Sequence, residues 1–394
     1  MEEWKEYRLG DIISITGGFA YKGNLIGEGN NYLLSMGCVS FNDNFLDKGA
    51  RQYNGDSPER FYAIPGDIVL ATRQQSDNLP ILGMPAIIPQ QYEGHKMIVG
   101  ANLYKVVIKD DSFDNRYLYW LLKTPNYVKH IRSCQSGTTV RMITKANIDD
   151  FTFYAPNKEC RTKISDFIWS LDDKIENNRK INENLEQQAQ ALFKSWFVDF
   201  EPFRGQPFVE SELGMIPEGW RVEEIGNISR LNAGGDKPQI ISDVPLKDCN
   251  IPIYSNGLED KGLYGYTNEA RISEPAVTIS ARGTIGDVNL RLVPFCPIVR
   301  LVSVIPHSFI HIYYLYYSLK IKRIEGVGTT QQQLTVPNFK KEKIVVPKAE
   351  EIDNFAKIID PIIKQMGIMD KEIIHLSLLR DTLLPKLMSG EIKL

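Results

Sequence analysis

Base edges in the major groove of DNA are read best by Arg, Lys, Gln and Asn, with Ser and Thr as helpers. Four short stretches of this chain gather those types. Thr72, Arg73, Gln74 and Gln75 follow directly on an apolar, strand-like run at 68–71, and Thr138, Thr139, Arg141 and Lys145 sit in and after a Ser-Gly-Thr-Thr-Val-Arg turn. Farther on, Arg282 and Thr284 occupy a Ser-Ala-Arg-Gly-Thr turn, and Thr329, Thr330, Gln331, Gln332 and Gln333 form a Gly-Thr-Thr-Gln-Gln-Gln run. All fifteen are candidate DNA contacts. Tyr21, Lys22 and Asn256, in glycine-rich turns, are weaker ones. Two plainer readings stand beside this one: strand-to-turn junctions are often polar because they are solvated, and a basic residue there can hold a phosphate without reading sequence.

Bond-making chemistry finds no comparable support. There is no Gly-Lys dipeptide for a Walker-type phosphate loop, no strand followed by Gly-x-Gly-x-x-Gly, and no Asn-Pro-Pro-Tyr-like tetrapeptide to hold a flipped adenine. His307 and His311 stand four apart, a step a metal can use, but no cysteine lies near them and the spacing reads as coincidence. The tyrosines at 313, 314, 316 and 317 read as core, because Tyr117, Tyr119 and Trp120 take the corresponding place earlier in the chain. No catalytic residue and no metal site is expected.

Composition narrows the class. With 43% apolar and 24% charged residues in 394, the chain reads as an ordinary globular protein large enough for two or three domains. Five scattered cysteines without a Cys-x-x-Cys pair, no apolar run near membrane-spanning length and no signal peptide lead to the expectation of a soluble, cytoplasmic protein. The net charge of −3 does not advertise DNA binding, nor do the halves: Lys+Arg stand against Asp+Glu at 16 to 17 in residues 1–155 and 15 to 15 in 206–347. Any DNA-binding face must therefore gather its positive charge locally.

The elements that would position these loops come twice. Moved forward by 191 positions, Gly137, Thr138, Thr139, Thr144, Asn147, Pro156, Glu159, Lys180, Leu185 and Leu192 fall on identical residues without a gap. The opening Trp4-x5-Gly10-Asp11-Ile12 is echoed by Trp220-x5-Gly226-Asn227-Ile228 at an offset of 216. Solenoid repeats run about 20–50 residues, so a repeat this long is two copies of a domain-sized unit. Offsets drift in the first part of each copy and lock in the second, which implies diverged globular arms and a tail of restricted length.

That tail is a heptad seam. Ile164, Ile168, Leu171, Ile175, Asn178, Asn182, Leu185, Ala189, Leu192 and Trp196 follow alternating steps of four and three, matched by Phe355, Ile359, Ile362, Met366, Met369, Ile373, Leu376, Arg380, Leu383 and Leu387. Each predicts a helix of about 33 residues, roughly 50 Å long. Two seams of equal length and phase favour an antiparallel pair within one chain over a homodimer of two tails, with Asn178 and Asn182 fixing register. The arms read as mixed α/β, with strands near 12–16, 32–36, 68–72, 97–99, 103–108, 277–280 and 299–305 and helices over 112–124 and 310–320. The expected architecture is α+β: an arm at 1–155, a helix and linker start at 156–205, a second arm at 206–347 and a second helix at 348–394, nearly two-fold symmetric.

The linker at 201–220 ends in Ser-Glu-Leu-Gly-Met-Ile-Pro-Glu-Gly-Trp. With the two Trp-x5-Gly openings and the twin Gly-Thr-Thr-to-helix tails, it resembles the specificity subunit of type I restriction–modification systems. The resemblance spans nearly the whole chain. It implies that each arm is a target recognition domain for one half of a split DNA sequence. The helices would set the spacing of the halves and dock two adenine methyltransferase subunits, and restriction/translocase subunits would join that core. S-adenosylmethionine, ATP and Mg would then belong to the partner subunits, with no cofactor in this chain. A scaffold whose arms read no DNA is the alternative.

Overall fold

The computed structural model describes residues 4–75, 80–308, 310–322, 324 and 333–394. They form two compact units, one of Met1–Asn178 with Lys371–Leu394 and one of Arg179–Asp370. Among the described residues no helix is long and apolar enough to cross a membrane.

The first unit is built on a four-stranded antiparallel sheet in the order Ile13–Gly17, Leu103–Ile108, Ile68–Ala71, Pro85–Ile87. Ile68, Val69, Leu70 and Ala71 are wholly buried, as a continuous apolar run in a central strand requires. A second sheet carries Ala50–Tyr53, Ile26–Leu34, Met97–Val99 and Tyr62–Ala63 in that order, with Ile26–Leu34 and Met97–Val99 parallel. The helix Asn115–Leu121, capped by the Asp114 carboxylate on the Tyr117 N–H, lays Tyr117, Tyr119 and Trp120 into the core.

The second unit repeats this plan. Its main sheet runs Ser229–Ala233, Val302–Pro306, Ala276–Ile279, Val288–Arg291, and its smaller sheet again contains a parallel pair, Ile251–Tyr254 with Cys296–Pro297. The helix Ile312–Ile321 buries Tyr313, Tyr314, Tyr316 and Tyr317, the core role expected of them. In both units a strand near the start closes on the strand before the long helix: Lys5–Arg8 with Thr152–Ala155, and Arg221–Glu224 with Lys343–Val346.

Three expectations need correction. The helix expected over 112–124 is shorter, Asn115–Leu121, and an unexpected helix, Pro125–Cys134, follows it; Thr124 caps the second through the Tyr127 N–H and Pro125 takes its first turn. Proline has no N–H to give a preceding turn but is pre-shaped to start a new one. The strand expected from 299 begins at Val302, because Val299 and Arg300 have positive φ. The long helices, Lys158–Phe197 and Ala349–Ser389, have 40 and 41 residues, about two turns more than the seam alone counted.

All the seam residues are buried or largely buried. In the first unit Asp172 pairs with Arg380, and Asn178 donates to Glu372 at 2.9 Å. In the second, Asn182 donates to Asp370 at 2.7 Å and the Phe193 ring packs on Phe355 with centroids 5.6 Å apart. Within each unit the partner number falls as the residue number rises, so the helical segments are antiparallel. The linker belongs to the second unit, where the hairpin Phe208–Ser211/Gly214–Pro217 follows Phe200 and Phe203, whose rings pack on Trp220.

Candidate nucleic-acid interface

In the first unit the sheet register brings Gly17 opposite Tyr104 and Leu103 opposite Ala71. The residues that leave the strand at Ala71 thus emerge at the same sheet end as the turn before Leu103. There Arg73–Gln74 pairs antiparallel with Arg141–Met142, and the Ile143 N–H donates to the Thr72 carbonyl at 3.2 Å. Two loops nearly seventy residues apart in sequence are so joined into one surface. Ser136 and Met142 exchange backbone hydrogen bonds of 3.0 and 2.8 Å, and Gly137 turns the chain between them at φ +93, where a Cβ would stand 2.2 Å from the Val140 carbonyl oxygen. Thr138 and Thr139 are exposed at the tip.

Some of these side chains are braces and others are exposed or half-buried at the surface. Thr72 is buried and its hydroxyl donates to the Asn102 carbonyl at 3.0 Å; Gln74 is buried and its carbonyl accepts the Leu82 N–H at 3.3 Å. Both are spent on holding the loop. Arg73 and Gln75 are exposed, and Arg141 is half-buried. Lys145 is exposed at the first position of the helix Lys145–Asp149, which a capping box of Thr144 and Asn147 starts. Its ammonium lies 5.9 Å from the centre of the Tyr104 ring. Burial raises the Tyr104 hydroxyl pKa, and the charge of Arg73 opposes that.

The second unit builds the same junction by other means. Ala233 and Ile279 both lie opposite Val302, which again puts the loop after the inner strand at the sheet end. Buried Ser280 shapes that loop: its hydroxyl donates to the Thr284 carbonyl and accepts the Asp287 N–H at 2.9 Å. The Leu334 N–H donates to the Ala281 carbonyl at 3.0 Å. Leu334 lies 191 positions after Ile143, so this is the same tie in both copies. Arg282 and Thr284 are exposed, and the Arg282 guanidinium donates to the Gln333 side-chain carbonyl at 3.2 Å. Thr329, Thr330, Gln331 and Gln332 lie outside the described residues.

Charge is gathered here locally. Arg8, Arg116, Arg230 and Lys343 all pair with carboxylates. Among the described residues no carboxylate lies within ion-pair distance of Arg73, Lys145 or Arg282. Two cationic, amide-bearing surfaces suit a polyanion with hydrogen-bonding edges.

The polarity of the loops marked the surface but not what supports it, although Asn256 was among the weaker candidate contacts. The backbone carbonyl of Asn102 is one support. Asn256 is another, its side chain accepting the Ala281 N–H at 2.7 Å and donating to the Val299 carbonyl at 2.8 Å. Nothing in local sequence distinguishes a bracing asparagine from a solvated one. Lys22 and Tyr21 lie beside Tyr53 instead, the Lys22 N–H donating to the Tyr53 hydroxyl at 3.3 Å.

Comparison with known proteins agrees with this plan. The family model described as type I restriction modification DNA specificity domain matches residues 1–187 and 217–377. The chain is 28% identical over 312 residues to the type I restriction enzyme MjaIX specificity subunit of Methanocaldococcus jannaschii, covering 74% of this chain and 72% of that one. To the HindI specificity subunit of Haemophilus influenzae it is 26% identical, with all of both chains covered. In fold it is similar to the crystal structure of the type I restriction–modification system S subunit from M. genitalium, with a TM-score of 0.61 and 16% identity over 98% of this chain and 96% of that chain. The doubled arm, the doubled helix and the matched domains place the chain in the type I restriction–modification DNA specificity family, as a specificity subunit and not an enzyme.

Proposed function

We propose that this chain is the DNA-recognition subunit of a type I restriction–modification complex and that its arms, 1–155 and 206–347, each read one half of a bipartite, asymmetric target. The observation that carries this is the repeated junction: Ile143 tied to Thr72 and Leu334 to Ala281, each beside an exposed, carboxylate-free arginine at a sheet end. The exposed candidates on it, Arg73, Gln75, Thr138, Thr139, Arg282 and Thr284, are the contacts we favour, with Arg141, Lys145 and Gln333 at their edges. The arms are diverged, so the two halves of the target should differ. The long helices set the distance between half-sites, roughly one helical turn of DNA or so. They also dock two adenine methyltransferase subunits, to which the restriction/translocase subunits add. S-adenosylmethionine, ATP and Mg act on those partners, and the complex works in the cytoplasm where its DNA is.

The test is genome-wide adenine methylation in cells expressing the chain with its methyltransferase, against cells lacking only this chain. A split motif that disappears with the chain is the expected result. An assembled complex whose methylation does not depend on the chain, or that ignores loss of Arg73 and Arg282, would point to a scaffold instead.

A further inference from the structure

The main sheet of the second unit carries a strained turn at the same end as Arg282. Residues 298–301 lead into the strand Val302–Pro306, and the Leu301 N–H closes the turn on the Ile298 carbonyl at 3.1 Å. Both central residues are left-handed, Val299 at φ 52 and Arg300 at φ 61. Turns of that shape favour Asn-Gly or Gly-Gly, and a β-branched residue there is a genuine outlier. Such strain persists only where the surroundings over-determine it, and it gathers at functional sites.

The surroundings do over-determine it. The Val299 N–H donates to the Gly235 carbonyl at 2.9 Å and the Arg300 N–H to the Gly234 carbonyl at 2.8 Å. Gly234 allows this approach, since a Cβ there would stand 2.8 Å from the Ile298 backbone. Asn256 bonds the Val299 carbonyl with one end of its amide and the Ala281 N–H with the other, so the turn and the Arg282 loop are locked together. This bracing leaves the side chains of Val299 and Arg300 exposed, and Arg300 is the polar one. Across Gly235 lies an open groove of about 390 Å³ lined by Asn232, Gly235, Arg271 and Pro297 among others. Among the described residues neither Arg271 nor Arg300 has a carboxylate within ion-pair distance. In the first unit the corresponding Ala101–Asn102 is not left-handed and offers no cation; the Asn102 carbonyl takes the Thr72 N–H and hydroxyl directly.

We propose that Arg300 is a specificity-determining residue of the second arm, aimed by its strained turn at a guanine edge, with Arg271 in the adjoining groove holding the neighbouring phosphate. This rests on the two-arm reading above. Phosphates are held well by mobile cations, whereas the guanidinium fork reads the O6 and N7 of guanine only when its plane is correctly set. A braced backbone supplies that setting and explains why the strain is tolerated.

The variants Arg300→Gly, Arg300→Lys and Arg282→Ala, each in the complex with its methyltransferase, test this by methylation-motif sequencing and thermal melting. Arg300→Gly should keep or raise the Tm, since glycine takes the left-handed turn freely. It should also relax one position in the second half-site, cutting discrimination there roughly ten- to hundredfold, with the first half unchanged. Arg300→Lys should relax the same position although it keeps the charge. An unchanged motif in Arg300→Gly, with Arg282→Ala still altering the second half, would overturn this inference and leave the two-arm reading intact. A uniform loss of affinity without a relaxed position would make Arg300 a phosphate contact and also overturn it, and a motif indifferent to all three variants would count against both readings.

Discussion

Lys123 carries a half-buried cation beside the helix Asn115–Leu121, its ammonium 3.2 Å from the Asp43 carbonyl and 4.9 Å from the centre of the Tyr119 ring. Burial pushes its pKa down from 10.5 to about 8; Asp172, Asp43 and Asp381 resist that and Arg380 adds to it. Below pH 8 the folded chain must hold the charge at a cost. Between about 8 and 10.5 the unfolded chain binds a proton that the folded chain releases, so stability rises with pH across that window. The variant Lys123→Met lacks this term. Urea midpoints should show wild type gaining on the variant as pH rises through the window, and a gap that stays constant would refute a buried ammonium. The corresponding Lys320 meets Glu186 at 2.7 Å. At this scale sequence was an uneven guide: Arg73 and Arg282 are exposed as expected, but Thr72 and Gln74, polar in the same run, point inward. Their partners Asn102 and Leu82 are chosen by sheet register, which a local window does not contain.

The helices show how far an element is legible. A heptad pattern is a local property, so both seams and their phase could be read directly. Arg380 was the odd seam member, and its partner explains it: its guanidinium meets the Asp172 carboxylate, which also accepts from Asn44, and it lies 5.5 Å from the centre of the Trp120 ring. Removing Asp172 would leave the Arg380 guanidinium with only the exposed Asp381 carboxylate, at 2.9 Å, and its inner end unpaired. Asp172→Ala should therefore cost about 3 kcal/mol, measured by urea unfolding, while Asp172→Leu with Arg380→Leu should recover most of it. Equal losses in the single and double variants would mean that the pair is not the cause. The helix ends were harder to place, because they lie outside the seam and depend on the strand or turn that each helix meets.

At the scale of the whole chain, duplication is the organising fact. Both units keep the strand order of the main sheet, the parallel pair, the aromatic helix and the loop tie, although their sequences have drifted apart. Replacing residues 1–155 by the first arm of another family member should rewrite one half of the methylated motif and spare the other. A change in both halves would sink the two-arm reading. Lengthening both helices by one heptad should alter the spacing between halves and neither half itself.

The sequence alone determined the two copies, the paired helices, the aromatic cores and the loops rich in base-reading side chains, because period, polarity and repeat offset are properties of short windows and their copies. Only the tertiary structure decided which polar residues face outward, what Arg380 pairs with and how residues 72–75 meet 138–142. It also placed Val299 and Arg300 in a left-handed turn beside Arg282. Those outcomes depend on hydrogen bonds between residues far apart in the chain, and no local pattern records which distant carbonyl an N–H will find.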